Sequence, residues 1–405
     1  MTDAVDAVTV AGAEAYPRVV AALIRVTGDW TLAEDCAQEA LTLALERWPR
    51  DGVPGNPGGW LMTTARNRAV DVLRRAAVER RKLRELALLT DPEPAPAEAE
   101  GTVVDDRLRL IFTCCHPALA PEARVALTLR TVAGVPTAHI ARVFLVTEST
   151  MTRRITRAKA KIATAGIPYR VPTGAALVER LPGVLAVLYL LFTRGYDADG
   201  EPAFADEAVR LARLLDRLMP DESEVAALLA LLLLQHSRRA ARRDPDGNLR
   251  TLDEQDRSRW DHEAVAEGLA VLARAHRHGP YALQARIAAA HATAPTPAAT
   301  DWPAIAGWYD ELARLHPSPV VRLNRAMAHG LAYGPATGLA LVAEARAGGA
   351  LDGYPPALAA EAELTARRGD ALRAAALFRD AAGLVASAAE RRALLRRAGQ
   401  LDPAG

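Results

Sequence analysis

Two stretches of the chain concentrate the side chains that hold nucleic acid. Between residues 58 and 84, eight basic residues stand against two acidic ones, a net of about +6. Arg66, Asn67, Arg68, Arg74 and Arg75 fall outside an apolar stripe of Leu61, Ala65, Ala69, Val72 and Leu73. Cation density of this kind on one helix suits phosphate contact, which supplies affinity without sequence information. Asn67 adds an amide able to read a base edge. Between 147 and 163, five basic residues stand against one acidic. There Met151, Ile155, Ala158 and Ile162 recur at helical spacing and face inward, so Ser149, Thr150, Thr152, Arg153, Arg154, Arg157 and Lys161 face outward. The early members of that set stand where a recognition helix reaches base edges.

A third stretch is acidic. In 32–48 the apolar residues Ala33, Ala37, Ala40, Leu41, Ala44, Leu45 and Trp48 repeat at helical spacing, leaving Glu34, Asp35, Gln38 and Glu39 on another face. Taken alone this is an ordinary solvated face, and its neighbours decide what it does.

The elements that position these residues are helices. Half of the residues are apolar and only 5% aromatic, which favours packed helices over sheets. An all-α fold is expected, and 405 residues are too many for one core. Helices are predicted over 14–27, 32–48 and 59 to about 84, with a Pro/Gly-rich loop over 49–58. Residues 90–101, rich in Pro, Ala and Glu, read as a solvated linker. Segments 137–144 and 147–163 have helix-turn-helix spacing, with Thr137 and Thr147 as N-caps. The domains are therefore 10–85, a linker over 86–104, 105–168, and an Ala/Leu-rich helical extension over 174–405. In the extension, Ala362, Thr365, Gly369, Ala374, Phe378 and Ala381 occupy tetratricopeptide-like positions, and 302–317, 319–346 and 371–384 read as helices of such units. An irregular helical bundle is the alternative.

Formal charge is +1, so no global basic field announces nucleic acid and only the distribution does. Cys36, Cys114 and Cys115 make no disulfide framework. The start lacks a basic and apolar leader, and the apolar run 225–234 is short of a membrane span. A cytoplasmic protein is expected, with no membrane partner.

The acidic-faced helix, the Pro/Gly loop and the Trp60-Leu61…Ala65-Arg66-Asn67…Asp71 helix resemble region 2 of the extracytoplasmic-function class of sigma-70-type transcription initiation factors. Segment 147–163, ending Arg154-Ile155…Arg157-Ala158-Lys159, resembles region 4 of the same family. The whole chain looks like the subgroup with a long tetratricopeptide-like extension. The resemblance implies that Asp35, Gln38 and Glu39 dock on the β′ clamp of bacterial core RNA polymerase, with β as a further contact. It implies that loop 49–58 receives the flipped minus-ten base, with Arg66, Asn67, Arg74 and Arg75 on the DNA. It also implies that 149–161 reads the minus-thirty-five element. Thr152 departs from relatives that place a base-reading Arg there, so the promoter sequence does not transfer. Glu93, Glu98 and Glu100 either mimic RNA in the exit channel or sit in a plain tether. Trp48 and Trp60 either stack on the flipped base or anchor helix ends. The extension is expected to regulate, acting within the chain or on a protein partner.

A stand-alone helix-turn-helix regulator with a protein-binding helical-repeat domain is the alternative, against which the acidic-faced helix argues. No phosphate loop, nucleophile elbow or paired catalytic carboxylate is present, so neither an enzyme nor a cofactor is expected. Cys114-Cys115-His116 lacks the partners of a zinc site and reads as the end of a core helix. Segments 197–201 and 244–248 lack the calcium-loop spacing and read as turns. Segment 253–261 reads as a solvated helix start.

Overall fold

The computed structural model describes residues 2–87, 106–144, 146–196, 202–276 and 278–402. The linker acids Glu93, Glu98 and Glu100, and the turn at 197–201, lie outside them. The described residues are helical, with a single isolated bridge between Arg243 and Leu249. They form two compact bodies, Met1–Leu190 and Leu191–Gly405.

The first body begins with α1 (Thr2–Thr27), α2 (Trp30–Asp51) and α3 (Pro57–Ala87). Asp29 caps α2 by accepting from the amides of Thr31 and Leu32, and Gly28 before it takes the left-handed conformation (φ +64°) that the tight α1–α2 turn requires. Ala33, Ala37, Ala40 and Ala44 are buried, small residues that let α1 and α3 approach α2 closely. α2 runs through Pro49, so the loop shortens to 52–56 instead of the expected 49–58. Pro49 has no amide hydrogen, so the helix bond to the Leu45 carbonyl is absent there. Leu45 itself is 45% exposed and leaves the inner stripe assigned to it.

Region 105–168 folds as α4 (Asp106–Cys114), α5 (Pro121–Thr131), α6 (Thr137–Val143) and α7 (Glu148–Thr164). Phe112, Ile111, Leu127, Leu129, Ile140 and Met151 fill its core. At about 1.5–3 kcal/mol for each large side chain buried, this layer holds α7 in place. Thr137 is the first helical residue and not the cap, because the amide of Ile140 bonds to the Pro136 carbonyl. Cys114 and Cys115 are core thiols; burial pushes the Cys115 thiol up to about 11, and its sulfur lies 3.6 Å from the Thr128 hydroxyl. His116 accepts from the Ala118 amide and so ends α4.

Next comes α8 (Ala175–Tyr196), within which the two bodies divide. It is long and apolar enough to cross a membrane by length and composition, unlike the run 225–234. Its Glu179, Arg180 and Arg194 and its buried Val184, Leu188 and Phe192 are also what a core helix carries. Arg180 caps the core of the preceding region by donating to the Phe112 carbonyl, with its guanidinium over the Phe112 ring.

The second body continues with α9 (Pro202–Leu218), α10 (Ser223–His236), α11 (His262–Arg274), α12 (Pro280–Thr293), α13 (Trp302–Leu315), α14 (Pro319–Tyr333), α15 (Pro335–Arg346), α16 (Pro355–Arg367), α17 (Ala371–Leu384) and α18 (Ala388–Leu401). Segment 319–346, read as one helix, is two, broken at Gly334 (φ +104°). α14 and α15 then fold back so tightly that a Cβ on Gly338 would lie 2.7 Å from the Gly330 Cα. Ala362, Thr365, Ala374, Phe378 and Ala381 are buried, and Gly369 (φ +99°) turns the chain between α16 and α17. Segment 244–248 is a turn in which Asp244 accepts from the Asn248 amide.

Segment 253–261 is more than a solvated start. After a short 3₁₀ turn at Arg257–Arg259, Trp260 is buried and Arg257 donates to the carbonyls of His291 and Ala294, capping the end of α12.

Candidate nucleic-acid interface

α3 turns Arg66, Asn67, Arg74 and Arg75 to solvent, while Leu61, Ala65 and Ala69 are buried and Val72 and Leu73 are half-buried. All four sequence-predicted residues thus share the outer side of one helix. The side chains of Arg80, Arg81, Lys82 and Arg84 lie outside the described residues. Trp48 is buried and meets Trp60 edge to face at 5.6 Å, which fits anchoring of the ends of α2 and α3 around the 52–56 loop. Asn56 accepts from the Gly59 amide at 2.9 Å and caps the start of α3.

α7 begins at a built cap: Thr147 accepts from the Thr150 amide at 3.2 Å, and its hydroxyl lies 2.9 Å from the Thr150 hydroxyl. Thr150 is therefore engaged in the cap and half-buried, whereas Ser149, Thr152, Arg153, Arg157 and Lys161 are exposed and Arg154 is half-buried. The Thr152 hydroxyl donates to the Glu148 carbonyl at 2.9 Å. Met151, Ile155, Ala158 and Ile162 are buried, as their spacing predicts.

On α2, Asp35, Gln38 and Glu39 are exposed, with Thr42, Leu45 and Glu46 continuing the stripe. Glu39 is not free, because Arg68 of α3 grips it through Nε and Nη2. The two carboxylate oxygens hold that guanidinium in its charged form, raising its pKa from the usual arginine range. Glu34, placed with the outer acids by the sequence, is drawn in. It accepts from Lys159 Nζ of α7 at 2.5 Å in a pair only 17% and 19% exposed. Tyr16 packs near it, and burial followed by the Glu34 charge pushes the Tyr16 hydroxyl up to about 12.

Sequence reasoning missed Arg68, Glu34 and Lys159 as structural partners. The available signal was angular: at 100° per residue Lys159 lies near Thr152 and away from the flank of Arg153, Arg157 and Lys161.

Residues 13–78 match sigma-70 region 2 and residues 109–162 match sigma-70 region 4; residues 180–276 match a family of unknown function. The uncharacterized protein R00370 of Rhizobium meliloti (strain 1021) is 45% identical over 341 residues, 81% of this chain and 80% of that protein. The probable RNA polymerase sigma factor RfaY of Xanthomonas campestris pv. campestris is 29% identical over 163 residues, 37% of this chain. The chain spans 40% of that relative's length. Yeast Tom70 superposes with a TM-score of 0.35 at 12% identity over 98% of this chain and 85% of that one, too loosely to inform the fold. With sigma-70 regions 2 and 4 both matched, on the helices that carry the polar faces, and a probable sigma factor among its relatives, the chain belongs to the sigma-70 family of transcription initiation factors.

Proposed function

We propose that the chain is an extracytoplasmic-function-class sigma factor that acts in the cytoplasm and is regulated by its own C-terminal helical body. Its α2 residues Asp35, Gln38 and Glu39 dock on the β′ clamp of core polymerase. The α3 residues Arg66, Asn67, Arg74 and Arg75 engage the minus-ten strand. The α7 residues Ser149, Thr150, Thr152, Arg153, Arg154, Arg157 and Lys161 engage the minus-thirty-five duplex.

One observation carries this reading: an acidic stripe and a basic stripe lie outward on adjacent helices α2 and α3, inside the stretch that matches region 2. A stand-alone DNA reader needs no such acidic stripe upstream of its helix-turn-helix. Phosphate contacts along α3 supply affinity, and an extruded base held beside a cationic track supports strand opening.

The extension contributes a regulatory surface with tetratricopeptide-like character, supported by the small buried residues Ala362, Thr365, Ala374 and Ala381 between α16 and α17. Its partner is a protein segment or another part of the chain.

Mixing the purified protein with bacterial core polymerase tests the reading. Initiation from a defined start site is expected, and absence of any binding to core overturns it. A form ending after Tyr196 keeps Arg180 in place and should lose most transcription while retaining promoter DNA contact. Output equal to the full chain would remove the regulatory role.

A further inference from the structure

Four arginines follow α10 within 237–243, and three of them hold the surrounding fold together. Arg239 pairs with Asp261 at 3.4 Å. Arg242 donates to the Tyr196 carbonyl with its guanidinium over the Tyr196 ring, and Arg243 donates to the Gly247 carbonyl at 2.7 Å. Arg238 differs. It is half-buried, its Nε is shut off from solvent without an acceptor, and its guanidinium makes no hydrogen bond or ion pair among the described residues.

Arg257 is its neighbour, since burial and then the Arg238 charge lower the Arg257 guanidinium below the usual arginine range. Arg257 Nη1 donates to the carbonyls of His291 at 2.7 Å and Ala294 at 2.8 Å, and the guanidinium lies 4.5 Å from the centre of the buried Trp260 ring. Those contacts fix the plane of the fork. They leave Arg257 Nε buried without an acceptor, as is Trp260 Nε1. His291 lies in the field of both arginines: burial, then Arg238, then Arg257 push its imidazole down to about 4. It is therefore neutral at physiological pH and adds no third positive charge.

Among the described residues no carboxylate offsets the two guanidiniums. Asp256 accepts from Ser258, Asp261 caps the Ala264 amide and pairs with Arg239, and Glu254 pairs with Arg396. Half-buried cations are costly without a counter-charge, and two side by side raise the cost. Water can take up loose hydrogen bonds, but only an anion cancels the charge. The size of that charge selects among anions. A phosphate monoester carries about −1.5 to −2 at pH 7 and three strong acceptor oxygens, which matches two guanidiniums beside a neutral imidazole. A carboxylate or a phosphate diester, with one negative charge, leaves the pair half neutralised.

We propose that Arg238 and Arg257 form a phosphate site in the second body, whose ligand is a small molecule bearing a phosphate monoester. Trp260 and the last carbonyls of α12 hold Arg257 in position, and Arg238 brings the uncommitted fork. A phosphate gripped by both ties the end of α10 to the 3₁₀ turn at Arg257–Arg259 and through it to the end of α12, so the ligand stiffens the start of the helical extension. The site lies outside regions 2 and 4 and stands whether or not the chain binds polymerase.

Calorimetric titration of the full chain in chloride buffer tests this, with methyl phosphate, dimethyl phosphate and acetate compared at matched ionic strength. Saturable one-to-one binding of methyl phosphate is expected, with the two singly charged probes weaker by about tenfold or more, the scale of one charge-assisted hydrogen bond. Arg238→Leu should weaken methyl phosphate by about tenfold or more, while Arg239→Ala, one residue on, should leave its affinity within about twofold. Without ligand, Arg238→Leu should hold or raise the melting temperature, because it removes an unpaired cation; a residue that serves only the fold would lower it. Failure of the parent to bind methyl phosphate, undiminished binding by Arg238→Leu, equal affinity for acetate or dimethyl phosphate, or a fallen melting temperature in Arg238→Leu each overturns the proposal.

Discussion

Helices α3 and α7 both turn arginines outward, and both send one cation to a carboxylate of α2. Arg68 meets Glu39 in a pair that stays 39% and 52% exposed, while Lys159 meets Glu34 in a pair only 17% and 19% exposed. The exposed pair is screened by water and salt and adds little to stability, but it fixes the angle between α2 and α3 within region 2. The inner pair joins two regions, and breaking it leaves a charge on a largely buried side chain without its partner. α2 thus acts as a hub with two kinds of polar residue: Asp35 and Gln38 face outward, while Glu39 is held by Arg68 of α3 and Glu34 by Lys159 of α7.

The strongest way to break this comparison is at the polar face of α2. Asp35→Arg combined with Glu39→Arg should abolish association with core polymerase, because reversing a complementary patch costs several kcal/mol. Circular dichroism should show an intact fold, and wild-type affinity in a pull-down would remove α2 from the polymerase interface. A second way is to loosen α7 from beneath. Phe112→Ala, at a fully buried ring under Arg180, should destabilise the region 4 core by about 3–5 kcal/mol in denaturant unfolding. Region 2 binding to core should persist in that variant.

Removing the outward cations of α7 sharpens the contrast at lower cost. Arg154→Ala and Arg157→Ala should each weaken promoter binding by about 1–3 kcal/mol, with a shallower dependence on salt and unchanged affinity for core. Equal loss of core binding would show that α7 is not the reader. The smallest effects concern the two inward pairs. Lys159→Ala should lower the stability of the first body by about 1 kcal/mol, the scale of a partly buried charge left without its partner. Arg68→Ala should leave the melting temperature almost unchanged, and the reverse order in thermal unfolding would invert the hub description.

What the sequence determined is periodic or local. A helix repeats every 3.6 residues, so Met151, Ile155, Ala158 and Ile162 were assigned inward and Arg66, Asn67, Arg74 and Arg75 outward, as the structure has them. Thr147 was legible as a cap because it acts on an amide three residues away. Thr137 was not, since the Pro136 carbonyl opens that helix and nothing in residue type separates the two positions. The break at Gly334 was hidden by apolar residues that continue a helical period on both sides. That α2 runs on past Pro49 to Asp51 was likewise not legible, because a proline ordinarily marks a helix boundary.

Tertiary structure alone decided which charges were free. Glu34, Asp35 and Glu39 are all acids outside the apolar stripe of α2, yet one is largely buried against Lys159, one is exposed and one is gripped by Arg68. Those partners lie 125 and 29 residues away, and no local period links residues so far apart. An ion pair forms where packing brings two helices together, and that packing is settled by the buried alanines and aromatics of the cores, not by the charges themselves.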